Sequence, residues 1–189
     1  YLNSPLITAT KSFKRMEGRL PDFLIIGAMK AGTTSLHDYL DLHPDVFMSS
    51  PKELQFFPKQ SYETKDIEWY KSFFKTDKKI AGASPQSYSK RHIDIYEGIP
   101  ERIHKHIPNI KLIYILRDPI ERYRSHLIES YYGGPWDKMP QFKEVDIYMK
   151  TSLYYYQLEE YLKYFDLNQI HITTLEELKT NRLETLNKV

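Results

Sequence analysis

Residues 27–35 read Gly-Ala-Met-Lys-Ala-Gly-Thr-Thr-Ser and follow the apolar run Phe23–Ile26. Two bracketing glycines, a lysine between them and three hydroxyl side chains behind them form a set suited to wrapping an anion. A loop of this kind at the start of a helix offers converging backbone N–H groups and a favourable dipole. In the phosphate loop of nucleotide-triphosphate enzymes, G-x-x-x-x-G-K-[ST], the lysine follows the second glycine and reaches the β- and γ-phosphates. Here Thr33 holds that position and the cation, Lys30, sits in mid-loop. Magnesium-dependent phosphoryl transfer also calls for an acid at the end of a neighbouring strand. The clearest buried run, Lys111–Leu116, ends in a cation instead, Arg117. The combination predicts an anion site that works without a metal. Sulfuryl transfer suits it, because that group carries less charge than a terminal phosphoryl group. One mobile lysine at the bridging oxygen can then neutralise the departing phosphate.

The elements that must position this set alternate in type. Short apolar runs at 22–26, 46–49, 79–84, 111–116 and 169–173 read as strands. Helical patterns start at Thr34 and cover 66–74, 100–107, 117–132, 152–165 and 180–189. Asp118 reads as an N-cap with Pro119 at the first helical position. The alternation predicts an α/β domain: a P-loop-like, three-layer fold with a central, mainly parallel sheet of about five strands flanked by helices. Ligands of such sheets bind beyond the carboxyl ends of the strands, here Gly27, Ser49, Ser84 and Arg117. Residues 1–20 read as an irregular lead-in and 21–189 as a single domain. The stretches 58–66, 86–98 and 131–147 read as loops, with 131–141 the plainest of them.

Composition narrows the classes. A formal net charge of +2 over 189 residues gives no general nucleic-acid or membrane-surface role. No apolar run approaches the about 20 residues of a transmembrane helix. There is no cysteine, which excludes disulfides and thiol catalysis and agrees with a cytoplasmic setting; a Golgi-lumenal one follows if an N-terminal anchor was removed. The seven histidines are scattered, which disfavours zinc, and most of the sixteen tyrosines read as packing residues. Composition does not fix the oligomeric state.

Three segments carry a resemblance. Residues 21–44 resemble the 5′-phosphosulfate loop of sulfotransferases that use 3′-phosphoadenosine 5′-phosphosulfate (PAPS). Residues 111–127, a strand, an arginine and a helix bearing a serine, resemble their 3′-phosphate motif. Pro-Lys-Glu-Leu-Gln-Phe-Phe at 51–57, followed by 67–74, is similar to the heparan sulfate and carbohydrate branch, in which a glutamate before an aromatic pair is the catalytic base. The resemblance implies that Lys30 stabilises the leaving oxygen and that Lys30, Ala31, Gly32, Thr33, Thr34 and Ser35 grip the 5′-phosphate. Arg117 and Ser125 match the 3′-phosphate ligands, and Glu53 matches the base. PAPS is the implied donor, 3′-phosphoadenosine 5′-phosphate (PAP) the product, and a glycan or small hydroxyl or amine the acceptor, with no metal. A P-loop kinase and a PAP-binding module without turnover stand as alternatives. The sequence departs from the branch at 81–88, where the lysine of a Glu-Lys before Ser/Thr is absent and Ala83 or its neighbour takes its place. It also stops at Val189, before the basic loop that closes over the nucleotide in the family, so the C-terminal part is expected to be missing.

Overall fold

The computed structural model describes residues 16–133 and 142–189. Among them, β1 (Phe23–Gly27), β2 (Val46–Met48), β3 (Ile80–Ala83), β4 (Lys111–Leu116) and β5 (Ile170–Thr174) form one parallel sheet in the order β2-β3-β1-β4-β5. The register pairs Leu24 with Leu112 and Ile25 with Ile113. β1 lies at the centre, and all five of its residues are buried. That explains its unbroken apolar run: a strand covered on both faces has no water-facing side on which to alternate. Successive β1 side chains point to opposite faces. Leu24 and Ile26 join a large cluster with Phe56, Phe57, Tyr70 and Phe74. Phe23 and Ile25 join a smaller one with Leu36, Ile113 and Leu178.

The helices are α1 (Thr33–Asp41), α2 (Lys59–Thr64), α3 (Ile67–Lys71), α4 (Ile99–His106), α5 (Pro119–Gly133), α6 (Phe142–Thr151), α7 (Tyr154–Leu158), α8 (Leu175–Thr180) and α9 (Arg182–Lys188). Asp118 caps α5 as the sequence predicts, its Oδ1 accepting from the backbone N–H of Ile120 and Glu121 at 3.0 and 2.9 Å. No helix among the described residues is long and apolar enough to cross a membrane.

Several elements differ from the sequence reading. The helix expected over 152–165 stops at Leu158 and gives way to a 3₁₀ turn at Tyr161–Lys163. The tighter turn seats the fully buried Tyr161 in the main core, its hydroxyl donating to the Tyr88 carbonyl at 3.1 Å. The helix expected over 66–74 ends at Lys71. α2 occupies most of the stretch 58–66 read as a loop, and α6 begins inside 131–147; residues 134–141 lie outside the described part. α8 precedes the last helix read at 180–189 and carries the Glu176–Glu177 pair that reads as a solvated helix face. Its signal is a capping box: Thr174 accepts from the Glu177 N–H at 3.1 Å, and the Glu177 carboxylate accepts from the Thr174 N–H at 3.0 Å.

Candidate functional site

β1 delivers the chain to the carboxyl edge of the sheet, and residues 27–32 curl there before α1 begins. Gly27 is required by close approach: a Cβ would lie 2.3 Å from Ser89 Oγ and 3.0 Å from the Tyr114 ring. Lys30 and Gly32 both take positive φ, 66° and 95°. That conformation is unusual for lysine and easy for glycine, and it turns the loop onto itself. Gly32 is the N-cap of α1 and supplies no side-chain cap, so the first-turn N–H groups are left for other acceptors.

A cavity of about 370 Å³ opens at this point. Met29, Lys30, Gly32, Thr33, Thr34 and Ser35 line it from the loop, and Arg117, Glu129 and Lys179 from across the sheet edge. Thr34 and Ser35 are exposed, whereas Ala31 is fully buried and acts through its backbone alone. Lys30 Nζ pairs with Glu129 Oε1 of α5 at 2.9 Å. Arg117, at the end of β4, donates from Nη1 to the Lys30 carbonyl at 3.3 Å, which joins two residues that stand far apart in sequence. Its backbone carbonyl accepts from Tyr154 Oη at 2.6 Å. Ser125 is half-buried two turns along α5 and is not among the residues lining this cavity.

Glu53 stands beside the loop. Its Oε1 accepts from Gln86 Nε2 at 2.6 Å, and Gln86 Oε1 accepts from Thr33 Oγ1 at 3.1 Å. The carboxylate is therefore one side chain away from the first helical residue of the anion loop. Lys52 lies 3.4 Å from Glu53 Oε1 and donates to Thr34 Oγ1 at 3.0 Å, so it bridges the two segments. The backbone carrying Glu53 is fixed from β3 onward. The Ser84 N–H donates to the Lys52 carbonyl at 3.1 Å. The Tyr88 hydroxyl donates to the Leu54 carbonyl at 2.6 Å and accepts from the N–H groups of Phe56 and Phe57 at 3.2 Å each. Burial drives the Tyr88 phenol well above its usual range, so it remains a neutral donor and acceptor at any ordinary pH.

Behind the loop lies a buried basic layer. Arg122 is fully buried; it donates to the Met29 carbonyl at 3.3 Å, to Ser152 Oγ at 2.6 Å and to the Tyr148 carbonyl. His126, one turn on, contacts Arg122 Nη1 at 3.3 Å. Burial, helped by Lys90, Arg122 and Lys30, lowers its pKa to about 3. A histidine so weakly basic stays neutral and is a poor general base at neutral pH. His92 is tied to Gln157, with Nδ1 to Nε2 at 2.9 Å, and burial lowers its pKa as well.

Lys30, Ala31, Gly32, Thr33, Thr34, Ser35, Arg117 and Glu53 are thus gathered at one sheet edge, with Ser125 farther along α5. Sequence reasoning missed Gln86, Glu129, Lys179 and Arg122. Gln86 had a faint signal, lying just past the end of the third strand. The others sit on helices amid many charges, with nothing in their spacing to single them out.

The family described as sulfotransferase domain matches residues 20–189. Heparan sulfate glucosamine 3-O-sulfotransferase 5 of Mus musculus is 35% identical over 188 residues, covering 90% of this chain and 52% of the relative. The bifunctional heparan sulfate N-deacetylase/N-sulfotransferase 2 of Homo sapiens is 30% identical, covering 90% of this chain and 22% of the relative. The chain thus spans about half the length of the first and about a fifth of the second. Among solved structures, a sulfotransferase from Alicyclobacillus acidocaldarius superposes with a TM-score of 0.75 at 23% identity, covering 90% of this chain and 79% of that one. That likeness extends to the fold.

Proposed function

The chain belongs to the sulfotransferase domain family, and we propose that it moves a sulfuryl group from PAPS to a hydroxyl or amine of a carbohydrate. The observation that carries this reading is the hydrogen-bonded path Thr33–Gln86–Glu53. It joins an anion-binding loop to a carboxylate, which are the two halves of a transfer reaction. The exposed hydroxyls of Thr34 and Ser35, with the Thr33 region and the free N–H groups of α1, hold the 5′-phosphate. Arg117 brings a guanidinium fork, which matches phosphate oxygens in pairs; with Ser125 it takes the 3′-phosphate. Lys30 leaves Glu129 for the bridging oxygen. The acceptor oxygen or nitrogen attacks sulfur in line as the bond from sulfur to that bridging oxygen breaks. Glu53 takes the acceptor proton, and PAP departs with the bonding electron pair, its new charge held by Lys30.

The relatives' names, a heparan sulfate glucosamine 3-O-sulfotransferase and a heparan sulfate N-deacetylase/N-sulfotransferase, support a glycan of the heparan sulfate class as acceptor. The lysine expected before Ser84 in the heparan branch is absent, with Ala83 or its neighbour in its place. Ala83 is fully buried in the main core and offers no charge to an acceptor.

The test is an incubation of the chain with PAPS and N-acetylated or N-sulfated heparan-type oligosaccharides, read by PAP release and by mass of the glycan. Equal amounts of PAP and singly sulfated product are expected. PAP bound tightly with no transfer to any glycan would leave a binding module, and phosphoryl transfer from ATP would make the chain a kinase.

A further inference from the structure

Lys90 stands in the loop after β3 and is only 8% exposed. An ammonium carries three donors. Among the described residues its sole hydrogen-bond acceptor is the thioether of Met29, 2.8 Å away. Sulfur of that kind is a weak acceptor. No carboxylate lies within ion-pair distance of Lys90 among the described residues, although lysine is almost never buried unless paired. Its neighbours increase the difficulty. Arg122 and Lys30 are cations of the same layer, and His126 and His92 stay neutral beside it. Burial first and Arg122 second lower the Lys90 pKa to about 8, against the attraction of Glu53 and Glu129.

Met29, its contact, belongs to the anion loop and lines the phosphate cavity, whereas Lys90 does not line it. Glu53, from the carboxylate segment, and Glu129, from the cavity wall, both attract the ammonium. Lys90 thus lies one thioether away from the loop against which a transferring group must sit while it is still attached to its donor.

We propose that Lys90 is a donor-specific ligand whose ammonium takes the sulfonate oxygens of bound PAPS, a contact that PAP cannot make. This rests on the sulfotransferase reading above. Met29 Sδ gives way to a sulfonate oxygen, and the buried cation gains the counter-charge that the chain itself withholds. Lys90 keeps all its protons in this role, since proton removal is left to Glu53. An unpaired buried charge costs stability, which is tolerable where function uses it.

The experiment compares PAP and PAPS affinities, by calorimetry without acceptor, for the wild type, Lys90→Met and Lys90→Arg. Methionine fills similar volume without charge, so Lys90→Met should melt no lower than the wild type. Its PAP dissociation constant should stay within about twofold, while that for PAPS rises about tenfold to a hundredfold. Lys90→Arg should recover part of the PAPS affinity. Equal weakening of both ligands would make Lys90 a structural residue. Unchanged affinities, including a case in which only the Michaelis constant of the acceptor rises, would assign it to the acceptor or to nothing; either overturns the proposal. A wild type that fails to bind PAP overturns the sulfotransferase reading along with it, whereas intact PAP binding with a flat PAPS response overturns the Lys90 assignment alone.

Discussion

The anion loop at 27–35 and the carboxylate segment at 51–57 lie beside each other at one sheet edge and are built in opposite ways. The loop's turn follows from its own residue types: a glycine that admits Ser89, a lysine and a glycine at positive φ, and a helix start without a side-chain cap. The segment is held from elsewhere. Ser84 and Tyr88, more than thirty residues downstream, take four of its backbone groups, and Gln86 takes the Glu53 carboxylate. One half takes its turn from local residue types, with Arg117 and Arg122 holding its carbonyls at Lys30 and Met29. The other exists only when β3 and its following loop are in place. Damage to the two halves should therefore separate into donor affinity and turnover.

The largest separation is expected from Glu53→Gln. Glutamine keeps the shape and removes the basicity, so turnover should fall by about 10²–10⁴-fold. PAP affinity should stay near wild type, because the cavity lining does not include Glu53. Steady-state rates and calorimetry on the same preparation check this; wild-type turnover would return Glu53 to a surface partner of Lys52. Burial lowers the His126 pKa to about 3, which makes it a poor replacement base at neutral pH.

Arg117→Ala tests the donor half. Removing a charge-assisted contact to phosphate costs roughly 1.5–3 kcal/mol, so PAP binding should weaken about tenfold to a hundredfold. Adenosine 5′-phosphate, which lacks the 3′-phosphate, should lose much less. Equal losses would mean that Arg117 acts only by holding the Lys30 carbonyl.

Tyr88→Phe tests the dependence of the carboxylate segment on β3. The substitution leaves the buried N–H groups of Phe56 and Phe57 without their acceptor, at a cost of about 1–3 kcal/mol each at most. Urea unfolding should show that loss. In the folded fraction turnover should drop more than PAP affinity does. A stable enzyme with normal turnover would show that Glu53 is positioned without the hydroxyl.

The smallest effect concerns Glu129, which places a carboxylate in the cavity proposed for the phosphate and pairs with Lys30 across partly exposed surface. Exposed pairs of this kind are worth about 0.2–1 kcal/mol. Glu129→Gln should tighten PAP binding by no more than about fivefold. Weaker binding would mean that the pair orients Lys30 for the donor rather than competing with it.

The same contrast explains what could be read from the sequence. The loop declared itself because its geometry depends on residue types at fixed local spacing, and β1 and β4 did so because strands buried on both faces are continuously apolar. Glu53 was legible only through resemblance, since nothing local distinguishes a functional carboxylate beside Lys52 from a solvated one. Gln86, Arg122 and Lys90 acquire their significance from contacts across 33 to 93 residues, which spacing does not encode. The long helix read at 152–165 failed for a related reason. Its periodicity was genuine, but packing of Tyr161 against the core chose a tighter turn.

The central claim is that the loop with its lysine in mid-sequence binds a phosphosulfate-type nucleotide, not a metal-bound triphosphate. Calorimetric titration of the wild-type chain with PAP and with ATP, each in the presence of EDTA and of magnesium, tests it most directly. The account predicts saturable PAP binding with the same dissociation constant in both buffers, and ATP binding that is weaker throughout. PAP binding that collapses on chelation, or ATP preferred once magnesium is supplied, would contradict it.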